Sequence, residues 1–235
     1  MNGKRKNLII SADDFGISKL ADVNILRLVE KGKVDRVAVM MSPNLSEAEI
    51  ERLKKSGVKI DIHLHLIRED SDYWLGNRLL KEGAAKRMIF FVFNYFTGRA
   101  GSEKIALKWA IQIEEFKEVF GRNPDGIGSH EYIHFFPPYF RAVLKLAEKY
   151  EIPYVRLGNK KYLCDNRVAN VLNNLRKRNI LSFGKSRVET SRYMISLDWA
   201  KDINNCWRLI PREGMTELVC HPEREEEFDF LDKNF

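Results

Sequence analysis

The feature that most constrains this chain is a repeated switch between two apolar periodicities. Short strand-like blocks alternate with longer stretches whose apolar positions recur every three to four residues. Leu8 to Ser11 reads as the first strand, and Ser18 caps a helix carrying Leu20, Val23, Ile25, Leu26, Leu28 and Val29 to Gly32. Val34 to Met41 is the second strand, and Ser46 followed by Glu49 makes a capping box for the next helix. Val58 to Leu66 is the third strand. Residues 67 to 100 read as an insertion; beyond it come a helix from Ser102 to Phe120, a strand from Gly126 to Ser129, a helix from Pro137 to Tyr150 and a strand from Ile152 to Leu157. A helix at 165 to 178, an irregular or strand segment at 180 to 195 and a helix at 198 to 208 lead to a last strand, Met215 to Cys220, and an acidic tail. Such alternation implies parallel strands joined by right-handed crossovers. The expected fold is a single-domain α/β structure, a TIM-like (β/α) barrel, whether complete or incomplete and distorted.

Composition sets the outer limits. At 235 residues and 44% hydrophobic, the chain is long and apolar enough to enclose a substantial core and a site. The longest apolar run, Met88 to Phe96, is far short of the roughly 20 residues a bilayer-spanning helix needs. The N-terminal apolar run meets Asp13 and Asp14 at once and lacks a cleavage pattern, so it reads as a strand rather than a signal peptide, and the expected location is cytoplasmic. Cys164, Cys206 and Cys220 are odd in number and lack C-x-x-C spacing, which fits reduced, structural thiols. The net charge of +7 is spread among acids, so a solvated surface is expected and no nucleic-acid partner.

In folds of this type the chemistry gathers at the C-terminal ends of the strands. Asp13 and Asp14 end the first strand, His63 and His65 the third, His130 the strand after Pro124, Arg156 the segment after Pro153, and His221 the last. With His134, all five histidines lie at or just past strand ends, and one convergent site accounts for that most simply. Adjacent residues of a strand point to opposite faces, so Asp13 and Asp14 serve one site only if the chain bends there, which Gly16 favours. His63 and His65 would share a face, about 6 to 7 Å apart along a strand, and suit joint metal ligation or one ligand with a supporting neighbour. An aspartate and two histidines from separate strand ends make a three-ligand site with positions open for water and substrate. His221 can protonate a leaving group opposite a base, Arg156 can bind substrate oxygens or a carboxylate, and His134 can support the site, face substrate or mark a helix entry.

The set Ala12-Asp13-Asp14-Phe15-Gly16, the strand IDIHLHL, the segment from Asn123 to His134 with Pro137-Pro138, then Ile152 to Arg156 and Glu217 to Pro222 resembles the YdjC-type carbohydrate deacetylases, which include the chitooligosaccharide (chitin disaccharide) and hopanoid-associated deacetylases. The resemblance runs from about residue 7 to 222. It implies a TIM-like barrel and one divalent metal ion, described for the family as Mg²⁺, with Asp14, His65 and His130 as ligands, Asp13 as general base, His221 as general acid and Arg156 lining the site. Zn²⁺, Co²⁺ or iron suits two imidazoles and a carboxylate better than Mg²⁺ does. The implied reaction releases acetate from an N-acetylated sugar, chitooligosaccharide-like or lipid-linked. This chain departs from the family pattern where His63 replaces the glycine of G-x-H-x-x-L-T, where Tyr132 replaces the middle histidine of S-H-x-H-x-H, and where Glu223 follows His221-Pro222 in place of glycine. His63, Tyr132 and His134 therefore join Arg156 as expected substrate-side residues.

Two other classes compete: another barrel metallohydrolase of amidohydrolase or phosphoesterase type, suggested by His63-x-His65, and a non-catalytic sugar- or polyanion-binding module. Residues 67 to 100 are the expected lid or specificity wall. Within them, Met88 to Phe96 reads as a helix packed on the barrel or across a homodimer interface, or as a contact with a membrane surface.

Overall fold

The computed structural model describes residues 5–66, 101–163, 166–200 and 202–235. The expectations for the 67–100 insertion, its aromatic run and Cys164 lie outside those residues. Among the described residues, six parallel strands form one sheet: β1 (Leu8–Phe15), β2 (Arg36–Val39), β3 (Lys59–Leu64), β4 (Ile127–Ser129), β5 (Tyr193–Ser196) and β6 (Thr216–Cys220), in the order β4-β3-β2-β1-β6-β5. The helices are α1 (Lys19–Glu30), α2 (Glu47–Lys55), α3 (Ser102–Phe120), α4 (Pro137–Lys149), α5 (Arg167–Phe183) and α6 (Glu225–Asn234). No described helix is long and apolar enough to cross a membrane.

Local chemistry explains the boundaries. Ser18 accepts the Ala21 amide to start α1, and Ser46 accepts the Glu49 amide while donating to the Glu49 carboxylate to start α2. Gly121 ends α3 in the left-handed conformation, φ 68°. Pro137 and Pro138 occupy the first turn of α4, where their missing N–H groups cost nothing. The segment from Ile152 to Leu157 is not a full strand. It makes only isolated bridges, Ile127 with Val155 and Tyr154 with Glu189, so the sheet is an open, curled half-barrel spanned between β4 and β5 by single bridges. Two further expectations change. The 198 to 208 helix is instead two 3-10 segments, Leu197–Trp199 and Ile203–Leu209, and the acidic tail is α6. Glu225, Glu226 and Glu227 sit in the first turn of α6, where negative charge suits the helix dipole, and Phe228 and Leu231 turn inward.

The two faces of the sheet differ sharply. Ile10, Ala12, Val37, Val39, Ile60, Ile62 and Leu218 belong to the main apolar core with Ile25, Leu26, Leu28 and Trp109 from the helices. On the concave face the alternate positions are polar: Ser11 and Asp13, Arg36, Asp61 and His63, Ser196, and Glu217 are all buried. Gly126 and Gly128 make room among them. A Cβ at 126 would sit 2.6 Å from Arg36 Nη2 and 2.7 Å from Asp61 Oδ1, and one at 128 would sit 3.3 Å from Arg156 Nη1. The curl can be measured by a contact: β1 and β4 are three strands apart, about 14 Å in a flat sheet, yet Asp14 beyond the middle of β1 and His130 at the end of β4 are in hydrogen-bond contact at 2.8 Å.

Candidate metal centre

Asp13 and Asp14 reach one site because β1 bends there. The ladder with β2 shifts register between Ala12 and Phe15, and Asp14 adopts φ 70°, a conformation uncommon for any residue but glycine. Gly16 completes the turn with φ 99° in a position where a Cβ would lie 2.5 Å from the Met40 carbonyl oxygen. The Gly16 amide donates to Asp22 Oδ1 at 2.5 Å, which ties the turn to α1. Burial, with the nearby Glu49 charge, pushes the Asp22 carboxyl up to about 6 against the pull of the Gly16 amide.

Asp14, His63 and His130 form a cluster in which one ligand atom from each lies within 4.8 Å of the others. Asp14 Oδ1 is 2.8 Å from His130 Nδ1 and 3.3 Å from His63 Nε2. Burial opposes charge on Asp14, but the two imidazoles outweigh it and hold the carboxyl well below its ordinary range. A carboxylate and two imidazoles converging from three strand ends can hold a divalent cation.

His65, expected as the second histidine ligand, is placed elsewhere. β3 ends at Leu64, and Gln112 of α3 takes over the backbone: it accepts the His65 amide at 3.0 Å and donates to the His65 carbonyl at 2.8 Å. Off the ladder, strand alternation no longer governs the side chain, and His65 Nε2 lies 2.9 Å from the Met41 carbonyl oxygen. His63, expected on the substrate side, stands in the cluster instead. Shifted by two residues, the G-x-H pattern falls on Asp61-x-His63.

His134 is also turned away from the site. It is fully buried, with Nδ1 2.5 Å from Ser129 Oγ and Nε2 2.8 Å from the Arg156 carbonyl oxygen, so both ring nitrogens are engaged within the protein and the substrate-facing expectation is not met. Tyr132 packs its ring against Trp199 and Phe135, with centroids at 5.3 and 5.5 Å. Its hydroxyl is buried, and desolvation together with the Asp198 and Asp13 charges raises its pKa well above the usual phenol range.

Asp13 borders the cluster, with Oδ2 3.8 Å from His63 Nε2. Both its oxygens are held by Arg156, Nη1 at 2.5 Å and Nη2 at 2.9 Å, and this pairing overcomes desolvation to lower the Asp13 pKa. His221 lies one residue past the Ala12–Cys220 register pair, which sets it beside Asp13. Burial would depress its pKa, but the carboxylates of Glu227, Asp14 and Asp13 raise it to about 9. Glu227 anchors this end of the chain by accepting the His221 amide at 2.6 Å and Arg224 Nη1 at 2.9 Å. Glu223, where the family pattern has glycine, has its carboxyl raised by burial and by the Asp14 charge.

The sequence reading assigned no role to Glu217, Tyr154, Arg36 or Asp61, yet these residues fill the floor of the concave face. Arg36 pairs with Asp61 through two hydrogen bonds of 2.8 and 2.5 Å and stacks over the Tyr154 ring at 4.3 Å. Glu217 accepts from Ser11, Arg156 and Tyr154. For Asp61 and Glu217 the available signal was a charged residue inside a short buried strand.

A curled parallel sheet with an aspartate and two histidines gathered at the C-terminal strand ends defines an α/β half-barrel protein with a cluster able to hold a metal ion. The chain belongs to the YdjC-like family: the model described as "YdjC-like protein" matches residues 7–233. It is 30% identical over 142 residues to a chitooligosaccharide deacetylase of Escherichia fergusonii, covering 60% of this chain and 55% of that one. It is 28% identical over 163 residues to a carbohydrate deacetylase of Clostridium beijerinckii, covering 66% and 63%. The chain thus spans a little over half the length of the curated relatives it matches. A solved structure from Enterococcus faecalis V583, provisionally described as a cellobiose-phosphate cleavage protein, matches at TM-score 0.62 and 23% identity over 91% of this chain and 80% of that one, a likeness of fold.

Proposed function

We propose that this protein is a metal-dependent carbohydrate N-deacetylase, a hydrolase that releases acetate from an N-acetylated sugar. The observation that carries the proposal is the Asp14, His63 and His130 cluster with Asp13 at its edge, and the names of the curated relatives support the substrate class. The strand order and the two bridges past β4 favour reading the fold as a distorted TIM-like barrel, with the whole chain as one catalytic domain. The expected cellular location is cytoplasmic.

Asp14, His63 and His130 would hold the ion, and their donor chemistry favours Zn²⁺, Co²⁺ or Fe²⁺ over Mg²⁺. When bound, the ion supplies Lewis acidity toward the acetamido carbonyl and acidity to water. The protein's own groups do the proton transfers. Asp13, kept ionised by Arg156, accepts a proton from the attacking water as its oxygen bonds to the carbonyl carbon. His221, whose pKa is raised against burial chiefly by the hydrogen-bonding Glu227 carboxylate, donates its proton to the amide nitrogen as the C–N bond breaks, giving acetate and an amino sugar.

The test is acetate release from N,N′-diacetylchitobiose, longer chitooligosaccharides and glycolipid-linked N-acetylglucosamine, with protein reconstituted separately with Mg²⁺, Zn²⁺ and Co²⁺. Turnover that requires metal and is lost in both Asp13→Asn and His130→Ala is expected. Metal stoichiometry should fall in His63→Ala and persist in His65→Ala. Stoichiometric metal binding with no acetate released from any sugar would point to a different metallohydrolase, and salt-sensitive polyanion binding without metal to a non-catalytic module.

A further inference from the structure

Glu217 is a carboxylate with no exposure at all, near the middle of β6, a strand otherwise built for the core. Burial of a carboxylate is costly unless donors surround it. Three do: Ser11 Oγ at 2.8 Å and Arg156 Nε at 2.8 Å on Oε1, and the Tyr154 hydroxyl at 2.6 Å on Oε2. The Tyr154 hydroxyl in turn accepts the Ser191 amide at 3.2 Å, which fixes its own direction. The donors come from β1 and from the Ile152–Leu157 segment, so Glu217 on β6 ties those two parts of the concave face together.

A guanidinium is planar, with its Nε edge and its two Nη groups in fixed relation. Once Glu217 holds Nε, the direction in which Nη1 and Nη2 point is set, and they meet the two oxygens of Asp13 at 2.5 and 2.9 Å. Arg156 is itself buried, and the absent side chain of Gly128 leaves it room. The chain of contacts thus runs from Glu217 through Arg156 to the carboxylate at the edge of the metal cluster. We infer that Glu217 is a positioning residue for Asp13: it locks the Arg156 fork, and the fork aims the Asp13 carboxylate at the site. This inference rests on Asp13 being the base of the reaction proposed above.

The distinction from a merely structural ion pair lies in shape and kinetics. Glu217→Gln keeps an oxygen for Arg156 Nε and Ser11, and its amide N–H can donate to the Tyr154 oxygen, so the fork stays aimed. Glu217→Ala removes the lock. With wild type active, Glu217→Ala is expected to lower kcat about 30-fold or more with KM within about twofold, as misplacing a catalytic group by about 1 Å does. Metal stoichiometry should be unchanged, and Glu217→Gln should restore kcat to within about threefold of wild type. A crystal structure of Glu217→Ala should show the Asp13 carboxylate rotated from its present direction. If Glu217→Ala does not fold, Tyr154→Phe and Ser11→Ala, which each remove one donor from Glu217, should lower kcat singly and more than additively together.

Wild-type kcat in folded Glu217→Ala, or an Asp13 carboxylate unmoved in its crystal structure, overturns the inference while leaving the deacetylase proposal intact. Equal impairment of the Gln and Ala variants overturns it as well, because charge rather than aim would then be the cause. A wild type that releases no acetate defeats the deacetylase proposal instead, and the Asp13 direction in the Glu217→Ala crystal structure still decides whether Glu217 positions that carboxylate.

Discussion

His134 should make the folded state acid-sensitive by an amount that its environment sets. The ring is fully buried, and its two nitrogens have fixed duties. A carbonyl oxygen can only accept, so Nε2 carries the hydrogen that is donated to Arg156 O at 2.8 Å, and Nδ1 accepts from the Ser129 hydroxyl at 2.5 Å. Burial opposes the imidazolium most strongly, the Arg156 charge adds to that, and the pKa falls from 6.5 to about 3. The folded protein therefore refuses a proton that the unfolded chain accepts. Where the folded pKa of a histidine is depressed, stability is full above the unfolded value and is lost as pH falls toward the folded one. At about pH 5 the unfolded histidine is almost wholly protonated and the folded one almost wholly neutral, so the loss relative to about pH 7.5 is about 2 kcal/mol, with a local slope of about 1.4 kcal/mol per pH unit. The assay is urea denaturation of wild type and His134→Gln at both pH values, in chelator so that release of a bound ion at low pH does not contribute. The variant will be less stable at neutral pH, since two buried partners lose their histidine. What matters is the change between the two pH values, which should be smaller in the variant by about 2 kcal/mol. Parallel pH dependence in the two proteins would refute the reasoning, since it would mean that His134 accepts its proton in the folded state.

Two further outcomes follow from the packing around the site. Gly126→Ala should lower stability by about 1 to 3 kcal/mol, because the added methyl meets the buried Arg36–Asp61 pair at 2.6 and 2.7 Å; an unchanged urea midpoint would show that the pair shifts freely. Asp22 behaves oppositely to His134: its carboxyl is raised to about 6 in the folded protein, so the stability it contributes is present at low pH and is lost as pH rises through that value. The melting temperature of Asp22→Asn relative to wild type should therefore rise between about pH 5 and about pH 8, and a flat difference would count against the burial of a charge at that position.

Much of this architecture was legible because its signals are local. Caps at Ser18 and Ser46, the paired prolines before α4 and the apolar strand cores depend on neighbours in sequence. The bend at Asp13-Asp14 could be anticipated because two adjacent carboxylates cannot otherwise share a face, and the structure supplies it through the φ 70° of Asp14. The failures share a different cause. Choosing between His63 and His65 requires knowing where β3 ends, and a side chain 47 residues away, Gln112, ends it. His134 reads as a site residue until its partners, Ser129 and the Arg156 carbonyl, are seen to occupy both nitrogens. The strand expected from Ile152 to Leu157 is reduced to bridges in a segment where Pro153 offers no N–H to a ladder. The α6 helix hides in an acidic run whose charges suit a helix start.

The buried charges of the concave face pair unevenly, and their distribution bears on where a cation would sit. Asp61 has Arg36 to itself. Arg156 is divided between Asp13 and Glu217, so one guanidinium serves two carboxylates. Asp14 has no guanidinium among its hydrogen-bond and ion-pair partners, only the imidazoles of His63 and His130. Among the described residues, these four carboxylates face two guanidiniums, and the negative charge without a guanidinium lies toward the C-terminal ends of the strands rather than at the floor. Buried carboxylates in such excess are costly unless a positive charge joins them. A divalent ion at Asp14, His63 and His130 would offset negative charge at the end where the deficit lies. The same polar interior that makes this face of the sheet a poor hydrophobic core therefore suits it to a cation, with Asp13 and His221 already set at the edge of the cluster.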